Sequence, residues 1–325
     1  MKIILEIMGF LDLFLLSCTS AKTKKIVKHV FTIRKHSLFV EVGQPLLLQI
    51  LSRTDQNYSE EIHLYYENDI VGNVFYVNIG TVDNVPSDYA EENDGTFTLS
   101  TYWSDPKTGF NVLYDALFEV FGAKVNEVTM DVMEISAENY QKEIDWVENL
   151  FPNLPKFGII GICSFQDYIW LMKNIKAKNV VFFTMEPTEY PGNHEIVNLE
   201  MEEVNIRCGK WMKLQDIQAI NARNIGLENI SLTDNEINAL LKSLKVSKEK
   251  SNMEKLILEF YRVADLEIVL EGLDVTNEDQ MKPEDSLNQW SFKMANGEKC
   301  TVIYAEYDND DSDDLMFGFE IQIGN

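Results

Sequence analysis

Leu214–Phe260 reads LQDIQAINARNIGLENISLTDNEINALLKSLKVSKEKSNMEKLILEF, and it alternates two textures. Ile225-Gly-Leu227 and Leu256-Ile-Leu258 are apolar–any–apolar triplets, the period-two sign of a strand with one face buried. Between them the spacing predicts a helix over Thr233–Leu244. Thr233 supplies a cap, Glu236 stands three residues on as a capping box requires, and Ile237, Leu240, Leu241 and Leu244 fall on one helical face.

The same strand signal recurs upstream, at Val128/Met130, Phe157/Ile159, Val180/Phe182 and Val204/Ile206. First members from Val128 to Leu256 are 29, 23, 24, 21 and 31 residues apart. Leucine-rich repeats run roughly 20–29 residues. Helical patterns fill three of the gaps, over Glu138–Leu150, Phe165–Ile175 and Trp211–Ile220. Glu186-Pro-Thr-Glu-Tyr-Pro-Gly192 fills another as a loop, because its prolines and glycine forbid a stable helix. The expected fold class is α/β (α+β): a leucine-rich-repeat-like strand–helix array with irregular units, preceded by a small helical segment and a β-rich segment. The expected boundaries are 1–32 helical, 33–110 β-rich, and 111–325 the array with a C-terminal β-hairpin.

Within the β-rich segment, Val30–Val82 alternates and is rich in β-branched and aromatic residues, which predicts a small antiparallel sheet. Gln44–Leu51 fits a strand or a core helix. Pro86–Gly95 reads as an acidic loop, Thr96–Trp103 as a strand, and Ser104–Gly109 as a turn cluster. Asn111–Phe121 reads as a helix. Near the end, Asn296-Gly297 between alternating strands signals a tight type I′ hairpin, and Leu315–Ile323 supplies a last strand.

The chain carries 28 basic and 53 acidic residues, a formal charge of -25. That excess argues against a nucleic-acid partner, which needs clustered Lys and Arg, and against attraction to an anionic membrane. Four cysteines stand far apart, with no CxxC and no His at ligand spacing, which points to reduced thiols and no metal. The apolar N-terminal run resembles a signal peptide in outline, but Glu6 and Asp12 lie inside it, and an acidic residue at that place costs about 2.5–3.5 kcal/mol on insertion scales. Short soluble helices broken at Gly9 are the better expectation.

Ile4–Lys28, ILEIMGFLDLFLLSCTSAKTKKIVK, resembles the later part of an F-box in a form used by a large nematode group. Met8, Asp12, Leu13, Leu16, Ser17, Ser20 and Lys24–Lys28 fall on that pattern without a gap, and the motif's Leu-Pro opening is missing. Asn224–Asp234 followed by Ile237–Leu244, and the hairpin around Asn296-Gly297, are similar to the type-2 F-box-associated domain of the same proteins. The resemblance implies a non-enzymatic substrate-recognition subunit of an SCF-type cullin–RING ubiquitin ligase, cytoplasmic or nuclear. Its partners would be a Skp-type adaptor, held weakly through Met8, Leu11, Leu13 and Leu16, and a target protein. A stand-alone interaction domain with a non-functional F-box is the alternative.

In a strand–helix array the outward strand residues form a common face suited to protein partners. With the triplet positions inward, Thr129, Asp131, Gly158, Ile160, Val181, Phe183, Asn205, Arg207, Gly226, Glu228, Ile257 and Glu259 fall on it. Thr129, Asp131, Ile160, Phe183, Arg207, Glu228 and Glu259 are the candidates for partner contact. An enzyme is a remote further alternative: none of His29, His36, His63 and His194 stands in a nucleophile–base or metal motif, and no cofactor fingerprint is found. Asp308–Asp314 lacks the Gly and the Glu of a calcium loop and reads as a solvated hairpin tip.

Overall fold

A computed structural model describes residues 8–31, 37–51, 59–92, 95–175, 179–190, 194–249, 252–277, 288–307 and 316–324. The acidic run Asp308–Asp314 and His36 lie outside these. The chain forms two compact units, Met1–Pro155 and Lys156–Asn325. The helical start, the β-rich segment and the first strand and helix of the expected array therefore share one unit. The boundary expected at 110 falls inside a helix.

The first unit begins with α1 (Phe10–Cys18) and α2 (Ala21–Phe31). Gly9 is the N-cap of α1 and offers no side chain to its free N–H groups. Glu60 supplies the acceptor from a strand: its carboxylate takes hydrogen bonds from Phe10 N at 2.8 Å and Leu11 N at 3.0 Å. Strands β1 (Ser37–Val42), β2 (Leu46–Leu51), β3 (Ser59–Tyr66), β4 (Phe75–Ile79), β5 (Val82–Glu91), β6 (Phe97–Trp103) and β7 (Lys124–Asp131) stand in the order β7-β1-β2-β3-β6-β5-β4. The sheet is mixed rather than antiparallel as expected, since β1 runs parallel to β7 and β3 parallel to β6. Of Gln44–Leu51, the part Leu46–Leu51 resolves as a strand, paired on both sides.

Two further expectations are corrected. Most of Pro86–Gly95 is strand β5, not a loop. Pro86 pairs only with Tyr76 of β4, and the ladder to β6 starts at Ser87, so the missing proline N–H breaks no bond. Ser104–Gly109 is no turn but the start of α3 (Pro106–Phe121). Asp105 accepts from Thr108 N, and Pro106 takes the first helical position, where its missing N–H costs nothing. Helix α3 lies against β3, β4 and β6, with Gly109 over the Trp103 ring, where a Cβ would come within 2.3 Å. Helix α4 (Tyr140–Leu150) closes the unit.

The second unit holds β8 (Lys156–Ile160), β9 (Ile162–Cys163), α5 (Phe165–Asn174), β10 (Val180–Phe183), β11 (Glu186–Pro187), β12 (Leu199–Ile206), α6 (Leu214–Gln218), β13 (Ile220–Leu227), α7 (Asp234–Val246), β14 (Lys255–Phe260), α8 (Leu266–Leu270), β15 (Thr276–Asn277), β16 (Asn288–Lys293), β17 (Lys299–Tyr307) and β18 (Met316–Gly324). Strands β8, β10, β12, β13 and β14 pair in parallel and in chain order. Strand β18 then adds antiparallel to β14 and leads into the β17–β16 hairpin. The capping box is present: Glu236 N donates to Thr233 Oγ1 at 3.3 Å, and Thr233 N to Glu236 Oε2 at 2.8 Å. The hairpin is wider than type I′. Gly297 N donates to Met294 O and Met294 N to Glu298 O, and of the turn residues Gly297 has a positive φ, 95°, while Asn296 does not. That is a type I turn closed by a left-handed glycine, a three-residue loop.

The core of this unit is stacked in rows across the strands. One row is Phe157, Val181, Val204, Ile225, Leu256 and Ile321; the next is Ile159, Phe183, Ile206, Leu227, Leu258 and Phe319. All are buried. In β12 and β13 the alternation slips by one residue at the same place. Leu199 and Met201 are buried, then Val204 and Ile206; Ile220 and Ala222 are buried, then Ile225 and Leu227. The extra residues, Glu202 and Arg223, both face solvent.

Candidate functional site

The face opposite those core rows carries the candidate contacts. Gly158, Phe182, Asn205, Gly226, Ile257 and Glu320 are in register across it. A Cβ on Gly226 would stand 2.2 Å from Asn205 Oδ1, so the bare glycine is what lets the amide lie across the neighbouring strand. Beyond that row come Arg207, Glu228 and Glu259. Their spacing is held because the ladder continues past the strand ends: Arg207 N donates to Phe183 O and Glu228 N to Ile206 O, both at 2.9 Å.

Arg207 Nε lies 3.9 Å from Glu228 Oε2, with both side chains about half exposed. A pair that open contributes about 0–1 kcal/mol to stability. Burial pushes the Glu228 carboxyl up, with Arg207 pulling the other way. Burial also raises Glu259, and the neighbouring Glu228 raises it further. Among the described residues no basic side chain comes within ion-pair distance of Glu259. The row therefore presents carboxylates in surplus over its arginine, and these accept hydrogen bonds from the donors of another molecule. Along the same face Lys156 Nζ sits 5.4 Å over the Phe182 ring, Lys255 pairs with Glu320 at 3.0 Å, and Arg223 bridges Glu202 at 3.3 Å and Glu254 at 2.7 Å.

Of the expected contacts, Ile160, Arg207, Glu228 and Glu259 are accessible on this face. Thr129 and Asp131 are half exposed on β7 in the first unit. Phe183 is a correction. It is fully buried, as is Val181, and Val180 and Phe182 point outward instead. Val180-Val-Phe-Phe183 is apolar throughout, so its own sequence holds no alternation to set the phase. Pairing with Val204 and Ile206 sets it. Leu11 and Leu13 are also fully buried, which removes them from the accessible surface of α1, while Met8 and Leu16 are half exposed. The aromatic Phe10 meets Phe121 with ring centroids 4.2 Å apart, so α1 is packed into its own unit.

His194 and Asp216, which no motif connects, form a buried pair with Nε2 2.9 Å from Oδ2. The same oxygen accepts from Lys213 N at 2.8 Å. Trp211 stands edge-on to His194 at 4.9 Å. The pair fixes the entry into α6. The four cysteines are free thiols, three of them buried. Among the described residues no group of His, Cys, Asp and Glu is arranged to hold a metal, and no helix is long and apolar enough to cross a membrane.

Residues 193–258 match the family model described as F-box associated. The match runs from ahead of β12 into β14, and so takes in Arg207, Glu228, the His194–Asp216 pair and the capped helix α7. No curated protein and no solved structure matches the chain. An F-box-associated domain in this position is a protein-interaction module in general terms.

Proposed function

We propose that the chain is a non-enzymatic, intracellular substrate-recognition subunit of an SCF-type cullin–RING ubiquitin ligase, in which α1 and α2 are the remnant of an F-box of the nematode type. The second unit is then a leucine-rich-repeat-like array holding a target protein. The observation that carries this is the coincidence of the F-box-associated match with the strands that set out Arg207 and Glu228. Transfer of ubiquitin would follow from proximity, because fixing the target near the ligase makes the reaction effectively intramolecular. A Skp-type adaptor would meet Met8, just ahead of α1, and Leu16 on it, a contact made weak by the burial of Leu11 and Leu13.

That burial, together with the hold of Glu60 on the start of α1, favours a second reading: a stand-alone interaction protein whose F-box remnant serves its own core. Affinity purification of the tagged chain from cells expressing a Skp-type adaptor and a cullin separates the two. Recovery of the adaptor, lost in Leu16→Glu at unchanged melting temperature, supports the ligase subunit. Its absence, unrepaired by fusing a Leu-Pro-containing F-box opening upstream, leaves the stand-alone protein. Target capture tested with Arg207→Glu and Glu259→Lys should fail in both cases.

A further inference from the structure

The first unit contains a cleft of about 890 Å³, within the range of ordinary ligand sites. It opens where β1, β3, β6 and β7 all end: these four strands run the same way, and the residues just beyond Val42, Tyr66, Trp103 and Asp131 form its walls. Crevices past the carboxyl ends of co-directional strands are the usual place for a ligand in such sheets.

The floor is aromatic. Tyr65 and Tyr102 stack with centroids 5.6 Å apart, and Tyr66, 46% exposed, stands beside them. The charge is uneven. Asp69, Asp105, Glu134 and Glu143 line the cleft against Lys107 and Lys142. Lys107 is taken up by Glu143 at 2.6 Å and lies over Trp146 at 5.2 Å. Asp105 is taken up in capping α3. Asp69 follows β3 and Glu134 follows β7, so they line the cleft from different strands; Asp69 accepts from Tyr66 N at 3.2 Å through one of its two oxygens. Asp88, Glu92 and Asp69 surround Tyr65 closely enough, after burial, to raise its hydroxyl's pKa. Burial and then Asp131, Glu61 and Glu134 raise Glu41 on β1. Carboxylates crowded about an aromatic floor attract a cation, and tyrosine faces bind one by the ring quadrupole.

We propose that this cleft is a second protein-binding site, which takes an extended segment of a partner bearing arginine or lysine, its cation over the tyrosines and between Asp69 and Glu134. It lies within the first unit and does not depend on the adaptor. The starts of α3 and α4 also face the cleft with Lys107 and Lys142 near them, an arrangement that would suit an anion. The cap by Asp105 and the Glu143 pair leave Lys142 alone to serve one, so the cationic ligand is favoured.

The test uses the full chain and three fluorescein-labelled Gly/Ser nonapeptides with central Arg-Ala-Arg, Glu-Ala-Glu or Ala-Ala-Ala, followed by fluorescence polarisation at ~150 mM salt, where long-range attraction to the acidic chain is screened. The Arg peptide should bind saturably and about tenfold or more tighter than the others. Tyr66→Ala and Glu134→Lys, both at exposed positions, should each lose about tenfold with unchanged melting, whereas Glu200→Lys on the second unit should change binding less than about twofold. Equal binding of the three peptides, tighter binding of the Glu peptide, no saturable binding up to millimolar peptide, or an equal loss in Glu200→Lys would each overturn the proposal.

Discussion

Glu60 caps α1 from 50 residues away, with both carboxylate oxygens engaged by the N–H groups of Phe10 and Leu11. Glu60→Ala leaves those buried donors unpaired, at about 1–3 kcal/mol. Urea denaturation should show the unfolding free energy fall by that amount, with Glu60→Gln in between because one acceptor oxygen survives. No local pattern announces such a cap, whereas Thr233 and Glu236 advertise theirs three residues apart. The difference is contact range: a helix signal that lies within one turn can be read, and one supplied by a distant strand cannot. Glu228 and Glu259 carry a second residue-level consequence. Both have carboxyl pKa values raised by burial, so the folded state holds their protons more tightly than the unfolded chain does. The resulting stability is present below the unfolded carboxylate range, about pH 4, and is lost as pH rises through the folded values. Glu228→Gln and Glu259→Gln should therefore raise Tm modestly at neutral pH, the gain fading toward pH 4. A Tm gain that is the same at both pH values would show that charge burial is not its cause.

At the scale of elements, α3 on β6 gives the sharpest test of packing against propensity. Replacing Gly109 by Ala improves helix propensity by about 1 kcal/mol. It also drives a Cβ to 2.3 Å from the Trp103 ring, and that ring is tethered through Nε1 to Thr101 Oγ1 at 2.9 Å. Overpacking costs about 1–3 kcal/mol, so Gly109→Ala should lower Tm by several degrees; an increase would mean that the ring yields. Leu256, 1% exposed in the centre of a core row, should tolerate Asp no better: an unpaired buried charge costs several kcal/mol, and thermal melting of Leu256→Asp checks it. The triplets around Leu256, Ile225 and Val204 are legible because charged or polar residues flank them, Lys255 and Glu259, Asn224 and Glu228, and Glu203 and Arg207. Val180–Phe183 is not, since four apolar residues in line fit either phase. The strand character of Pro86–Glu91 is hidden by a proline that is tolerated because it stands where β5 has a neighbour on a single side.

Across the whole molecule, the parallel order of the second unit could be read from recurring triplets, and its surface row from their alternation. The cleft of the first unit could not, because its walls come from four separate segments spread from Val42 to Glu143 that meet only through the order β7-β1-β2-β3-β6. The paired slip of β12 and β13 has its own consequence for how this chain can change. Deleting Glu202 alone removes the slip from one strand and leaves it in the next, so the two ladders no longer match and a core row is turned toward solvent. Deleting Glu202 and Arg223 together restores strict alternation in both: Leu199, Met201, Val204 and Ile206 inward on one, Ile220, Ala222, Ile225 and Leu227 inward on the other. Each single deletion should abolish soluble expression or depress melting sharply, and the double deletion should recover it. The two positions would then behave as mutual suppressors, linked by geometry although the ion pairs at their tips are worth little.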